Sequence, residues 1–224
     1  METNKYVITD IHGCVQTFKA LLDKVGFSKM DELYLLGDYI DRGPDSKGVI
    51  DHIMALTQQG YKVRALWGNH EEMLIDDIEG VGWSGGMHET LRSFGVSHAI
   101  DIEDKYTEWL KQLEYYIEVD QFILVHAGLN FDLDDPFDDK YDLLWIRNWY
   151  KDIDYEWLGP RIIIHGHTPA TLLKMKWQMQ NRHEIRAIGI DNGCVFNALE
   201  FGHLACLNLK DMQLTFQKNI DGYY

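Results

Sequence analysis

Aspartate, histidine, asparagine and arginine recur in five short segments of this 224-residue chain: Thr9-Asp10-Ile11-His12-Gly13, Gly37-Asp38-Tyr39-Ile40-Asp41-Arg42-Gly43, Gly68-Asn69-His70-Glu71, His126-Ala127-Gly128 and Gly166-His167-Thr168. Carboxylates, imidazoles and amide oxygens are the groups that hold divalent cations. Asp10 and His12 stand two apart, so on an extended segment both face one ion. Asp38 is the candidate carboxylate shared by two ions, because cations about 3.5 to 4 Å apart repel and need an anion between them. Asn69 offers the second ion a neutral oxygen. Arg42 carries the planar fork that clamps phosphate oxygens. His70, oriented by Asp41, can give a proton to a leaving group; the other reading of His70 is a further ligand. Glu71 reads as a partner that hydrogen-bonds the loop. His126 and His167 each follow an apolar run and complete the set, with His165 left to a supporting or core role. The chemistry indicated is two-metal hydrolysis.

Such residues converge only if the elements before them are strands of one crevice. Tyr6 to Thr9 is an apolar run, followed by Val15, Phe18, Leu21, Leu22 and Val25 at helical spacing and closed by Gly26. The unit repeats with a strand at Glu32 to Leu36, a helix through Val49, Ile50, Ile53 and Met54 that stops at Gly60, and a strand at Tyr61 to Trp67. Strands alternating with helices predict an α/β fold with a largely parallel sheet. Residues 72–120, with a glycine-rich centre at Gly80, Gly82, Gly85 and Gly86, are expected to form a small helical cap over the site; the Trp83 to Phe94 segment is open to a reading as a substrate lid or as packing within the cap. Strands return at Gln121 to Val125, Ile162 to His165, Ile185 to Ile190, Leu204 to Leu209 and Gln213 to Gln217. The closing strands follow short turns and are expected to pair antiparallel in a second sheet. Residues 1–224 read as one domain, without linker, repeat or low-complexity stretch.

The formal charge of −15, from 36 acidic and 21 basic residues, disfavours a surface built for nucleic acid. Cys14, Cys194 and Cys206 make neither a disulfide framework nor a zinc pair, and there is no secretory signal or membrane-length apolar stretch. A cytoplasmic protein without membrane or nucleic-acid partner is expected. The acidic residues Asp132, Asp134, Asp135, Asp138, Asp139 and Asp142 read as a solvated loop, with substrate selection as the sharper alternative.

Together the five segments resemble the phosphoprotein phosphatase family of metallophosphoesterases, especially its compact bacterial and bacteriophage members, over nearly the whole chain. The resemblance implies a two-sheet metallophosphoesterase sandwich flanked by helices. It implies that Asp10 and His12 hold one ion, that Asp38 bridges, and that Asn69, His126 and His167 complete the other. It also implies Arg42 and Arg147 as phosphate clamps and the Asp41-His70 pair as general acid. Two positions depart from the pattern: Thr9 stands where glycine is usual, and Pro169 where many wider relatives have a further histidine. The expected reaction is direct attack of a metal-activated hydroxide on phosphorus, with no phosphoenzyme and with Mn as the favoured activator, Fe or Zn being alternatives. The leading expectation is a serine/threonine protein phosphatase acting on a phosphoprotein or small phosphoester, because Asp41 and Glu71 are both present. The alternative is a symmetrical dinucleoside polyphosphate hydrolase, and a non-catalytic scaffold is the remote third.

Overall fold

In a computed structural model, which describes residues 3–82 and 87–222, three β-loop-α units open the chain. Strands β1 (Lys5–Ile8), β2 (Glu32–Leu35) and β3 (Lys62–Ala65) are parallel. Helix α1 (Val15–Val25) buries Val15, Phe18, Leu21 and Leu22 at helical spacing, and Gly26 ends it in the left-handed conformation, φ 66°. Helix α2 (Ser46–Gln58) begins where the Asp45 side chain accepts from Gly48 N at 2.8 Å. Helix α3 (Asn69–Glu79) starts directly at the third motif.

The stretch 72–120 contains the rest of α3, α4 (His88–Phe94) and α5 (Asp104–Leu110). Tyr106 and Leu110 are buried in one core with Phe18, Ile50 and Leu74. The stretch is not helical throughout: β4 (Tyr116–Val119) lies inside it and pairs antiparallel with β5 (Phe122–Val125). Its alternation of exposed Tyr116 and Glu118 with buried Ile117 is the period-2 pattern of an edge strand. Trp83, Gly85 and Gly86 fall outside the described residues.

Beyond β5 come α6 (Lys140–Trp145), α7 (Tyr155–Leu158), β6 (Ile162–His165), α8 (Leu172–Gln180), α9 (Arg182–Ile185), β7 (Ala187–Gly189), β8 (His203–Asn208) and β9 (Gln213–Lys218). Here the structure corrects the expected sheet membership. The second sheet runs β4-β5-β6-β7, and β5, β6 and β7 are parallel because helices connect them. The β8-β9 hairpin is antiparallel as expected, but it extends the first sheet, in the order β3-β2-β1-β8-β9. The segment between β7 and β8 is long enough to cross from one sheet to the other.

The two sheets face each other. Val7, Tyr34, Leu36 and Leu207 of the first meet Leu124, Ile164 and Ile188 of the second. The alternate residues of β1, Tyr6 and Ile8, turn outward into the core shared with α1 and α2, and Ile123, Val125 and Ile163 pack under Trp149 and Leu158 on the far side. The result is an α/β sandwich of two sheets flanked by helices, in four layers, helix-sheet-sheet-helix, as expected. Among the described residues no helix is long and apolar enough to cross a membrane.

Candidate active site

Every motif emerges at the C-terminal end of a parallel strand: Asp10 after β1, Asp38 after β2, Asn69 after β3, His126 after β5 and His167 after β6. Two glycines let the loops close on one another. A Cβ on Gly37, which sits at φ 95°, would run into the Gly68 backbone, and one on Gly166 would strike the Asp10 carboxylate and the Thr9 hydroxyl. Six of the loop side chains hang from left-handed backbone: Asp10, His12, Asp38, Asp41, Arg42 and His167 all have φ between 46° and 68°.

Asp38 is the centre. Its Oδ2 lies 3.5 Å from His12 Nε2 and 3.9 Å from His70 Nε2, and its Oδ1 lies 3.5 Å from His126 Nε2. Ligand atoms within 4.8 Å of one another form two groups sharing this residue, His12-Asp38-His70 and Asp38-His126-His167. Asn69 Oδ1 accepts from His167 Nδ1 at 2.9 Å and lies 3.0 Å from His126 Nε2. Asp10 stands beside the groups rather than in either: its carboxylate accepts from His167 N at 3.0 Å and from Thr9 Oγ1 at 2.5 Å. Thr9, the departure from the family pattern, thus has a bonded role.

The imidazoles are set to present lone pairs inward. His12 Nδ1 donates to Ile40 O at 2.9 Å and His126 Nδ1 to Leu36 O at 2.7 Å, which leaves each Nε2 facing Asp38. Burial drives the pKa values of His12 and His167 down to about 3, so both rings are neutral. Asp38 is fully buried, which alone would raise its pKa, yet His126, His70 and His12 hold it well below the usual carboxylate range. Burial, then the charge of Asp38, lifts Asp10 to about 6. His167 Nε2 is a buried side-chain atom with no hydrogen-bond partner among the described residues. An ionised carboxylate beside the neutral rings of His12 and His167, with an orphaned ring nitrogen on the latter, fits divalent cations.

Around this centre, His70 Nδ1 meets Asp41 Oδ2 at 2.7 Å, and Thr90 Oγ1 donates to the other oxygen of Asp41. Burial works against a charged His70 ring, but Asp38 and the Asp41 hydrogen bond outweigh it and hold the pKa up at about 9. Arg42 donates to His12 Nε2 at 2.9 Å, and its other terminal nitrogen lies 3.0 Å from His70 Nε2. Arg147 is exposed and reaches Thr168 Oγ1 at 3.3 Å. His165 turns away, bonded to Tyr150 OH and to Gly166 O.

Glu71 ties the second and third motifs together. Its Oε1 accepts from the backbone N–H groups of Tyr39 (2.8 Å) and Ile40 (3.3 Å), and its Oε2 from those of Asp38 (2.8 Å) and Gly68 (3.0 Å). In Glu71→Gln the amide nitrogen must face two of these donors. A loss of about 3 kcal/mol follows, seen in circular-dichroism melting as a Tm lower by roughly 10 °C. An unchanged Tm would contradict this role.

One buried acid escaped the motif reading. Asp191 follows β7, accepts from Gly193 N at 2.7 Å, and is held well above the usual range by burial and by the neighbouring charge of Asp10. The signal was available, since Gly189-Ile190-Asp191-Asn192-Gly193 repeats the strand-then-Asp-then-Gly pattern of the other segments.

A family model described as calcineurin-like phosphoesterase matches residues 5–203. Among curated proteins, the chain is 35% identical over 128 residues to a symmetrical bis(5'-nucleosyl)-tetraphosphatase of Erwinia tasmaniensis, covering 55% of this chain and 44% of that protein. The same name belongs to a relative from Delftia acidovorans, 36% identical over 130 residues, with 55% and 44% covered. The chain therefore spans less than half the length of these relatives. Among solved structures, one provisionally assigned as a diadenosine tetraphosphatase superposes with TM-score 0.72 at 22% identity, over 98% of this chain and 95% of that one. A serine/threonine phosphatase from Saccharomyces cerevisiae gives 0.66 at 15% identity, over 97% and 79%. With the family match spanning most of the sequence, and the motif-bearing strands and their loops arranged as described, the chain belongs to the calcineurin-like phosphoesterase family.

Proposed function

We propose that the chain hydrolyses dinucleoside tetraphosphates symmetrically, releasing two nucleoside diphosphates. The observation that supports this reading is the shared name of the curated relatives, which carry it at 35 and 36% identity. It displaces the serine/threonine phosphatase favoured by the sequence reading, since the yeast phosphatase at 15% identity speaks for the fold alone. The two residues behind the earlier preference do not discriminate. Glu71 binds backbone amides, a task indifferent to substrate, and Asp41 orients His70 for any leaving group that needs a proton.

In this mechanism His12, Asp38 and the adjoining Asp10 would hold one divalent ion, and Asp38, Asn69, His126 and His167 would hold the other. Bound there, the ions would supply Lewis acidity toward phosphoryl oxygens and a lowered water pKa. Arg42 and Arg147 grip the non-bridging oxygens and offset the charge that builds on them. To do so Arg42 turns outward from the two imidazoles it now touches. Water oxygen bonds to one central phosphorus as its bond to the bridging oxygen breaks. His70 passes its Nε2 proton to that oxygen, with Asp41 fixing the ring through Nδ1, and the proton shed by the attacking water restores His70 by way of solvent.

The test compares kcat/KM, with Mn²⁺ present, for diadenosine tetraphosphate and a phosphoserine peptide. The nucleotide is expected to be preferred by at least about tenfold, with ADP as the sole product. Preference for the peptide would restore the protein phosphatase reading.

A further inference from the structure

A short helix carries an aromatic stack and leads, just past its end, to the second arginine. In α6, Tyr141 and Trp145 stand four apart, so their rings share one face, stacked with centroids 6.0 Å apart and 19° between planes. Trp145 then meets His167 edge-on at 6.3 Å, and its indole is fixed because Nε1 donates to Glu72 Oε2 at 2.6 Å. Two residues on, Arg147 bonds Thr168 in the same loop as His167. Aromatic rings thus lead from the reacting centre outward in two steps of about 6 Å, ending on Tyr141, which is 62% exposed. Phe196, the aromatic beside Arg42, has its face covered by that guanidinium at 6.0 Å.

We propose that Tyr141, backed by Trp145, is the platform on which a purine base of the substrate stacks. The inference rests on the dinucleoside tetraphosphate reading and says which surface recognises the nucleoside. Two features favour a base as occupant. A flat, rigid, exposed aromatic surface suits the π-face that every nucleobase presents. The surroundings of Tyr141 are acidic, with Asp138, Asp139 and Asp142 in adjoining sequence, and phosphates are repelled from such a rim toward Arg42 and Arg147. A neutral base is the part of a nucleotide that the acidic side accepts. The nearest carboxylates are already committed: Asp139 accepts from Tyr141 N at 2.9 Å, and Asp142 from Asn130 Nδ2 at 2.6 Å. The acidic stretch then orients the substrate, base outward and phosphates inward.

The experiment uses the Mn²⁺-loaded full chain as wild type, Tyr141→Ala and Tyr141→Phe. Tyr141→Ala should raise KM for diadenosine tetraphosphate about tenfold with kcat within about twofold, and Tyr141→Phe should match wild type. Turnover of inorganic tripolyphosphate, which has no base, should be unaffected. Binding of ethenoadenosine diphosphate, read by fluorescence quenching, should weaken in Tyr141→Ala by the same factor as KM rises. An unchanged KM, an equal rise for tripolyphosphate, or a rise confined to a phosphoserine peptide would overturn the platform. If wild type does not cleave diadenosine tetraphosphate yet binds the etheno nucleotide through Tyr141, the hydrolase reading falls and the platform stands. If it cleaves the substrate with no dependence on Tyr141, the reverse holds.

Discussion

Asp38→Asn should lower phosphoesterase turnover by a factor on the order of 10³ or more, a loss of about 4 kcal/mol of transition-state stabilisation. The reason is position. Asp38 is the member common to both groups of ligand atoms, within 3.5 Å of His12 and of His126. An amide keeps the shape but removes the negative charge that offsets two cations. Manganese titrated by calorimetry should accordingly bind with lower stoichiometry and affinity, while the fold persists, because the N–H groups of Asp38 and Tyr39 bond to Glu71 and the asparagine amide oxygen still accepts from His70 N. Activity within about tenfold of wild type would remove Asp38 from the centre of the chemistry.

His70→Asn should lower kcat by about 10² to 10³ for an alkyl phosphate and far less for an aryl phosphate, whose leaving group departs without a proton. Asp41→Asn should lose part of the same effect, since an amide does not fix the Nδ1–H tautomer as a carboxylate does. The prediction separates two roles that the geometry alone leaves side by side. His70 lies in a group of ligand atoms with His12 and Asp38, and it also bonds Asp41 at 2.7 Å. As proton donor, its loss steepens the dependence on leaving-group pKa and leaves manganese stoichiometry intact. A fall in stoichiometry with no change in that dependence would make it a ligand.

Local signals carried most of the architecture. The helical spacing of Val15 to Val25 and the glycine that follows it gave α1 and its end, and the apolar runs before Asp10, Asp38 and His126 gave β1, β2 and β5. Pairing between distant strands was less accessible. Nothing in Leu204 to Leu209 announces that Cys206 will lie opposite Ile8, because a strand buried on both faces has no periodic mark of its neighbour. At the site, the residue types and order brought Asp38, His12, Asn69, His126 and His167 into view, and the structure gathers them. The turning of the Asp10 carboxylate to the His167 backbone, and the approach of Arg42 to two imidazoles, depend on side-chain torsions that spacing does not encode. Asp191 was missed for a simpler reason: its motif ends in neither histidine nor arginine, so it did not read as chemistry.

The six left-handed residues that carry the central side chains also bear on how such a protein changes over generations. Holding a non-glycine residue there costs roughly 1 kcal/mol, so the cluster withholds on the order of 6 kcal/mol from a fold whose net stability is typically 5 to 15. Glycine at Asp10, His12, Asp38, Asp41, Arg42 or His167 would relieve that strain and erase the side chain in the same step. Selection for thermal robustness alone should therefore hollow out the centre first, and a lineage released from its substrate has a downhill route to a sturdier, silent shell.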